Sequence, residues 1–219
     1  MSGPVTVVGR EKGYEVSIRS DRAVLSDYTR AMEAFIDTNE YRRLRAETNR
    51  CKGCDICCRE RAPLTAVDLW ILKENAEKGL DWRSFFQRFV TVRVFSGGVD
   101  IVLARDGDDN CVFLDSGRGL CGMYPYRPLV CSTYICAQAS PSAQLFRSSV
   151  VNGGEDAAVG LWYAQTAEEG LVVHECEDFD PGLLEIPPEN VWNVSKNYDN
   201  ILIREVISGE LWKRLEGKP

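Results

Sequence analysis

The sequence predicts an α+β fold: helices with small antiparallel hairpin elements around a cysteine-ligated metal centre. Three observations predict it. Short runs of β-type residues come in neighbouring pairs split by glycine, the mark of local hairpins. Longer runs repeat apolar residues at three- and four-residue steps, the mark of helices. These two kinds of segment do not alternate as strand–helix–strand units, so a parallel sheet is not expected. Eight of the nine cysteines fall between positions 51 and 136, in the middle of the chain.

In chain order, residues 5–19 read as two short strands with Lys12-Gly13 between them. A helix follows over 22–47, with Leu25, Tyr28, Met32, Phe35 and Ile36 as its apolar stripe. After the first cysteines, Thr65 is placed to cap a helix over 66–78 that Gly79 closes. Asp81 starts a shorter helix reaching Phe89, and residues 90–103 alternate around Gly97-Gly98 as a hairpin. Residues 111–114 suit a further strand, and Pro128 suits the start of a helix holding Leu129, Val130 and Cys131. Residues 140–155 are polar and contain glycine, which predicts a loop. A strand over 171–174 and a last helix over 188–215 complete the reading, the latter with Trp192, Ile201, Leu202, Val206 and Leu211 inward. This divides the chain into an extension over 1–49, a cysteine core over 50–139 and a C-terminal extension over 140–219 packed on that core.

Composition narrows the function classes. A chain of 219 residues buries roughly 70–75% of the surface it exposes unfolded, so it does not need a metal merely to fold. The formal charge is -7, with acidic runs at 106–109 and 175–180. A nucleic-acid binder carries a basic stripe; the run Arg42-Arg43-Leu44-Arg45 sits instead among acidic residues in a helical pattern and reads as a solvated face. No signal-peptide pattern opens the sequence and no apolar run nears the length of a spanning helix. The expectation is a cytoplasmic protein with no nucleic-acid or membrane partner. In that compartment thiols stay reduced, and nine cysteines, an odd number, argue for metal chemistry over a disulfide framework.

The strongest signal is Cys51-Lys-Gly-Cys54-Asp-Ile-Cys57-Cys58. Two-residue spacing turns successive sulfurs toward one centre, and three such sulfurs leave the fourth corner of a cubane to a distant cysteine. Adjacent Cys57 and Cys58 diverge in an extended chain, and by about 100° in a helix. Either they serve different irons or centres, or one ligates while the other packs or reacts. Cys111, Cys121, Cys131 and Cys136 follow at irregular intervals, without the second paired turn of a zinc ribbon. The eight thiols admit two four-iron clusters, or one cluster with structural thiols. Arg50, Lys52, Arg59, Arg61 and Arg127 flank these cysteines, and cations favour the ligating thiolate. Cys176 lies among carboxylates and reads as a spectator. His174, the single histidine, excludes a multi-histidine metal site and reads as structural.

Residues 51–136 resemble the CxxCxxCC cysteine-cluster family, also called YkgJ-type, a zinc- or iron-chelating family. The matching pieces are the first cluster, Cys111-Val-Phe-Leu-Asp115, Cys121-Gly-Met-Tyr124 and Arg127-Pro-Leu-Val-Cys131. The resemblance implies metal binding through Cys51, Cys54, Cys57, Cys58, Cys111, Cys121 and Cys131, with Cys136 as an addition. It also implies that Arg127-Pro128 shapes the turn before Cys131, the arginine donating to a cluster sulfur or to a carbonyl. Flagellin lysine N-methylases look related through a similar cluster, but no glycine-rich loop for S-adenosylmethionine is visible. The radical-SAM spacing is not met. Asp106-x-Asp108-x-Asn110 begins like a calcium loop, but Cys111 replaces its glycine and Gly117 its glutamate.

Three function classes follow, in rank order. The first is an iron–sulfur protein, of 4Fe-4S type, with a redox or protein partner. The second is a structural zinc module. The third is a protein lysine N-methylase. Whether the protein is an enzyme stays open at this point.

Overall fold

A computed structural model describes residues 3–11, 13–38, 54–96, 98–177, 188 and 190–217. Strands Val5–Arg10 (β1) and Gly13–Ile18 (β2) pair antiparallel, Val5 opposite Ile18. Gly13 is required at the turn. Its φ is 138°, and a Cβ there would lie 1.8 Å from the Gln138 carbonyl oxygen. The approach is that close because Tyr14 N–H donates to that carbonyl (2.9 Å) and Ser140 N–H donates to Tyr14 O (2.9 Å). Helix α1, Leu25–Thr38, buries all five residues of the expected stripe, Leu25, Tyr28, Met32, Phe35 and Ile36. The rest of the expected helix, beyond residue 38, lies outside the described residues.

Helix α2, Ala66–Asn75, starts from a reciprocal capping box. The Thr65 hydroxyl accepts from Asp68 N–H, and the Asp68 carboxylate accepts from Thr65 N–H, satisfying two otherwise orphaned donors. Helix α3, Trp82–Phe89, is capped by Asp81 and buries Phe85, Phe86 and Phe89. It runs directly into the hairpin of β3, Val90–Phe95, and β4, Gly98–Leu103, with Val90 opposite Leu103. A short helix α4, Leu129–Thr133, begins after Pro128 as expected.

The stretch expected as a loop over 140–155 is instead the front of the longest described helix, α5, Pro141–Thr166. Ser140 caps it and Pro141 sits in its first turn, where a missing N–H costs nothing. The glycines that argued for a loop are there for packing. A Cβ at Gly154 would lie 2.4 Å from Thr65 Cγ2 and 2.6 Å from Thr65 Cβ, so only glycine lets α5 pass the start of α2. Ala143, Phe146, Val150, Ala157, Ala158 and Trp162 line the rest of its fully buried face. Helix α5 packs on α2, α3 and α4 as well as on β2 and β4, and forms the central post of the fold.

Three other expectations change. Residues 111–114 do not form a strand; a two-residue ladder joins Leu114–Asp115 (β5) to Leu120–Cys121 (β6). Residues 171–174 are not a strand either. The pairing comes just after them, where Glu175–Cys176 (β7) lies parallel to β3, giving the order β4-β3-β7. The single last helix is broken into α6, Val191–Val194, a 3-10 turn at Tyr198–Asn200, α7, Ile203–Val206, and α8, Gly209–Leu215. Asn190, Asn197 and Ser208 each cap a fresh N-terminus, and such local side-chain bonds compete with a continuous helix. Trp192, Ile201 and Leu211 are buried as expected, whereas Leu202 and Val206 are half-buried. The class stands as α+β, helices with small, mainly antiparallel sheets. Among the described residues, no helix is long and apolar enough to cross a membrane.

Candidate metal centre

The cysteines are set by irregular backbone tied to regular elements. Cys57 and Cys58 lie on a 3-10 turn, Ile56–Arg59, in which Cys58 N–H donates to Asp55 O (2.9 Å). The Cys58 carbonyl in turn accepts from Cys111 N–H (2.9 Å), which fastens the first cysteine group to the second. Val112 N–H donates to Ala104 O (3.0 Å), so the end of β4 carries Cys111. Cys121 sits on β6 opposite Leu114, and Gly122 N–H closes onto Phe113 O (2.8 Å). Phe113 stacks on Phe89 with centroids 5.2 Å apart, so α3 supports this ladder from behind.

Cys131 is carried by α4, and a buried carboxylate sets where α4 begins. Asp68 Oδ1 accepts from Leu129 N–H (2.9 Å) and from the Tyr198 hydroxyl (2.6 Å). Its other oxygen completes the α2 capping box. One side chain therefore joins α2, the cysteine-bearing α4 and the C-terminal segment. Thr65 was legible as a cap, but nothing local announces the Asp68 bonds to Leu129 and Tyr198.

Cys54, Cys57, Cys58, Cys111, Cys121 and Cys131 line a single cavity of about 290 Å³. Leu103, Phe113, Met123 and Val130 supply apolar wall, and Arg61, Arg105, Arg127 and Arg147 bring cationic groups against one carboxylate, Glu60. Cys136 is half-buried but does not line this cavity. Cys51 lies outside the described residues, as do Arg50 and Lys52. Cys176 is exposed on β7, across from Val94. The His174 Nδ1 accepts from Val92 N–H (3.1 Å) and its own N–H donates to Val92 O (2.9 Å), a structural place on the edge of β3. The acidic loop beside Cys111 is a turn-former: Asp106 Oδ1 accepts from Asp108 N–H and Asn110 N–H, each at 2.9 Å.

Adjacency does not separate Cys57 from Cys58. On the tight 3-10 turn their thiols are hydrogen-bonded to each other, and both face the cavity. That bond, with burial and the nearby Cys111 and Cys121 thiols, pushes the Cys58 thiol far above its ordinary value. Burial pushes Cys111 up to about 11, against N–H donation from Phe113 and the Arg105 charge. Burial likewise raises Cys121, opposed by Met123 N–H and Arg127, and raises Cys131 most plainly, with Cys111, Cys57, Asp68 and Cys121 adding to it. The expectation that flanking cations hold these sulfurs as thiolates is corrected for these four. Arg61 is occupied by Asp100 and by Glu155 (2.7 Å), Arg59 is exposed, and burial outweighs Arg105 and Arg127. Arg127 settles on a carbonyl, its Nε donating to Tyr124 O (3.1 Å), with its guanidinium 3.9 Å above the Tyr124 ring.

Sulfur dominates the donor set, with Glu60 the one carboxylate and no histidine among the cavity walls. Soft thiolates of this kind select zinc or iron–sulfur centres over hard cations, so the residues fit a sulfur-ligated group. Among the described residues, no three Cys, His, Asp or Glu side chains close on one point as they would around a single ion.

Residues 50–149 match the family model described as CxxCxxCC: Putative zinc- or iron-chelating domain. The matched segment holds each thiol that lines the cavity. No curated protein and no solved structure matches the chain.

Proposed function

We propose that the chain is an iron–sulfur protein that holds a 4Fe-4S cluster in the cysteine cavity and serves electron transfer or a cluster-dependent reaction. The observation that carries this is that six thiols line one cavity of about 290 Å³ while, among the described residues, no three donor side chains close on one point. Four thiolates on one zinc lie about 2.3 Å from it, hence about 3.8 Å from one another. A cluster takes one thiolate per iron and holds its ligands further apart. When bound, the cluster would supply one-electron redox chemistry at a potential set by burial and by hydrogen bonds to its sulfurs. The chain's own part is to bring Cys54, Cys57, Cys58, Cys111, Cys121 and Cys131 to one cavity. It also places Arg105 and Arg127 where their charge offsets that of thiolates, and covers the site with Phe113 and Met123. A redox or protein partner for the exposed Cys57 side belongs to the same reading.

The family description names zinc beside iron, and that is the competing reading. Anaerobic purification, metal and sulfide analysis and a visible spectrum separate the two. Iron with matching sulfide and a broad band that bleaches on reduction supports the cluster. Stoichiometric zinc in a colourless protein overturns it in favour of a structural module.

A further inference from the structure

We propose that the Tyr134–Arg147 wall of the cysteine cavity is a subsite for a small carboxylate with an apolar body, seated beside the metal centre. It rests on the iron–sulfur reading only for what stands next to the ligand, not for the ligand itself.

The cavity's arginines act on different groups. The Arg105 charge bears on Cys111 and the Arg127 charge on Cys121. Arg147 comes from α5, and its charge bears on Tyr14 and Tyr28. Its guanidinium lies 4.9 Å from the Tyr134 ring centroid, which holds the group by one face and leaves its edges for hydrogen bonds.

The four cavity arginines also differ in what they already bind. Arg61 is held by Asp100 and Glu155, Arg105 by Asp109 (2.8 Å), and Arg127 by the Tyr124 carbonyl. Arg147 has no carboxylate partner among the described residues, and its Nε is buried without a hydrogen-bond partner. A buried charged donor left unpaired is costly, and native proteins rarely leave one without a function. A guanidinium edge is shaped for two parallel bonds to an oxyanion. One guanidinium balances one negative charge, which favours a monocarboxylate over a phosphate. The cavity lining also includes Tyr134, Leu103, Phe113 and Val130, which suits an apolar body. The volume, about 290 Å³, is at the small end for ligand pockets.

The test is calorimetric titration of the full chain, purified without oxygen, with metal content measured on every sample. The probes are benzoate, acetate and inorganic phosphate. The expected result is one saturable benzoate site per chain, weaker acetate and weakest phosphate. Arg147→Met should weaken benzoate by about tenfold or more, the loss of charge-assisted bonds. Arg147→Lys, which keeps the charge but not the fork, should weaken it by a smaller factor, and Arg88→Met on the outer surface should change nothing. No saturable benzoate binding, or equal binding by the Arg147 variants, overturns the subsite, and a water then satisfies Nε. Phosphate binding more tightly than benzoate overturns the carboxylate class. Should Arg147→Met lose its fold by circular dichroism, the lysine variant and the wild-type ranking decide. Benzoate binding that depends on Arg147 in a protein without iron would break the iron–sulfur reading and leave the subsite standing; an iron-loaded protein that ignores benzoate would do the reverse.

Discussion

Helix α2 has two different neighbours. On one side it meets α5 through Gly154, in a contact so close that a single methyl group would collide with Thr65, and the surrounding side chains are sealed from water. On the other, its Asp68 reaches the first turn of α4, and beyond that helix lie the cysteine turns and two-residue ladders around a cavity. The first region is held by packing spread over many residues, where each contact is small and their sum is large. The second is held by a few backbone hydrogen bonds and one buried carboxylate, with the Cys111 and Cys131 thiols pushed upward by burial. Scaffold and site are thus stabilised by different means, and they should respond to different perturbations.

The sharpest division concerns the metal. Cys111→Ser or Cys131→Ser should bring metal content close to zero while far-UV circular dichroism keeps the α1 and α5 signal. Cys176→Ser, on exposed β7, should leave metal content unchanged. Equal loss in all three, by elemental analysis, would mean that the cavity does not define the site.

The link between the two regions comes next. Asp68→Ala leaves Thr65 N–H, Leu129 N–H and the Tyr198 hydroxyl without their buried acceptor. A loss of about 3–5 kcal/mol is expected in denaturant unfolding, with metal retention impaired because α4 carries Cys131. A change under 1 kcal/mol would show that the two regions are held independently.

The same carboxylate gives a pH signature. Burial raises Asp68 to about 6 from 3.8, against hydrogen bonds from Tyr198, Thr65 and Leu129. A folded value above the unfolded one adds stability that is complete below about pH 4 and is lost as the pH rises through about 6, amounting to about 3 kcal/mol. The titratable groups facing it, Tyr198 and Cys131, are both pushed upward and stay neutral across that window. The stability difference between wild type and Asp68→Asn should therefore shrink by about 3 kcal/mol between pH 4 and pH 7. A difference that stays constant with pH would place the Asp68 carboxyl at its ordinary value.

The smallest effect tests the packed side alone. Gly154→Ala gains about 1 kcal/mol of helix propensity but drives a methyl group into Thr65 and, at 3.1 Å, toward Trp192. Overpacking of this kind costs about 1–3 kcal/mol, so a small net loss, under about 2 kcal/mol, should appear in the melting curve. Metal content should not change. A stabilised variant would mean that α5 and α2 can move apart.

Much of this molecule could be read along the chain. The α1 stripe, the Thr65 and Asp81 caps, the hairpin at 90–103 and the helix after Pro128 all rest on patterns a few residues long, because helical and strand periodicity and capping are local physics. The CxxCxxCC spacing was likewise legible, and residues 50–149 match the chelating-domain model that it resembles. The remainder depended on partners distant in sequence. Gly154 looks like a loop residue until Thr65, some ninety positions earlier, lies against it. The last segment has apolar residues enough for one helix, yet three caps and the bond from Tyr198 to Asp68 break it. The adjacent Cys57 and Cys58 could not be assigned from geometry that assumed a straight strand or an α-helix; a 3-10 turn turned both inward. The upward shift of the Cys111 and Cys131 thiols comes from burial, and burial is a property of the assembled chain that no spacing of residues contains.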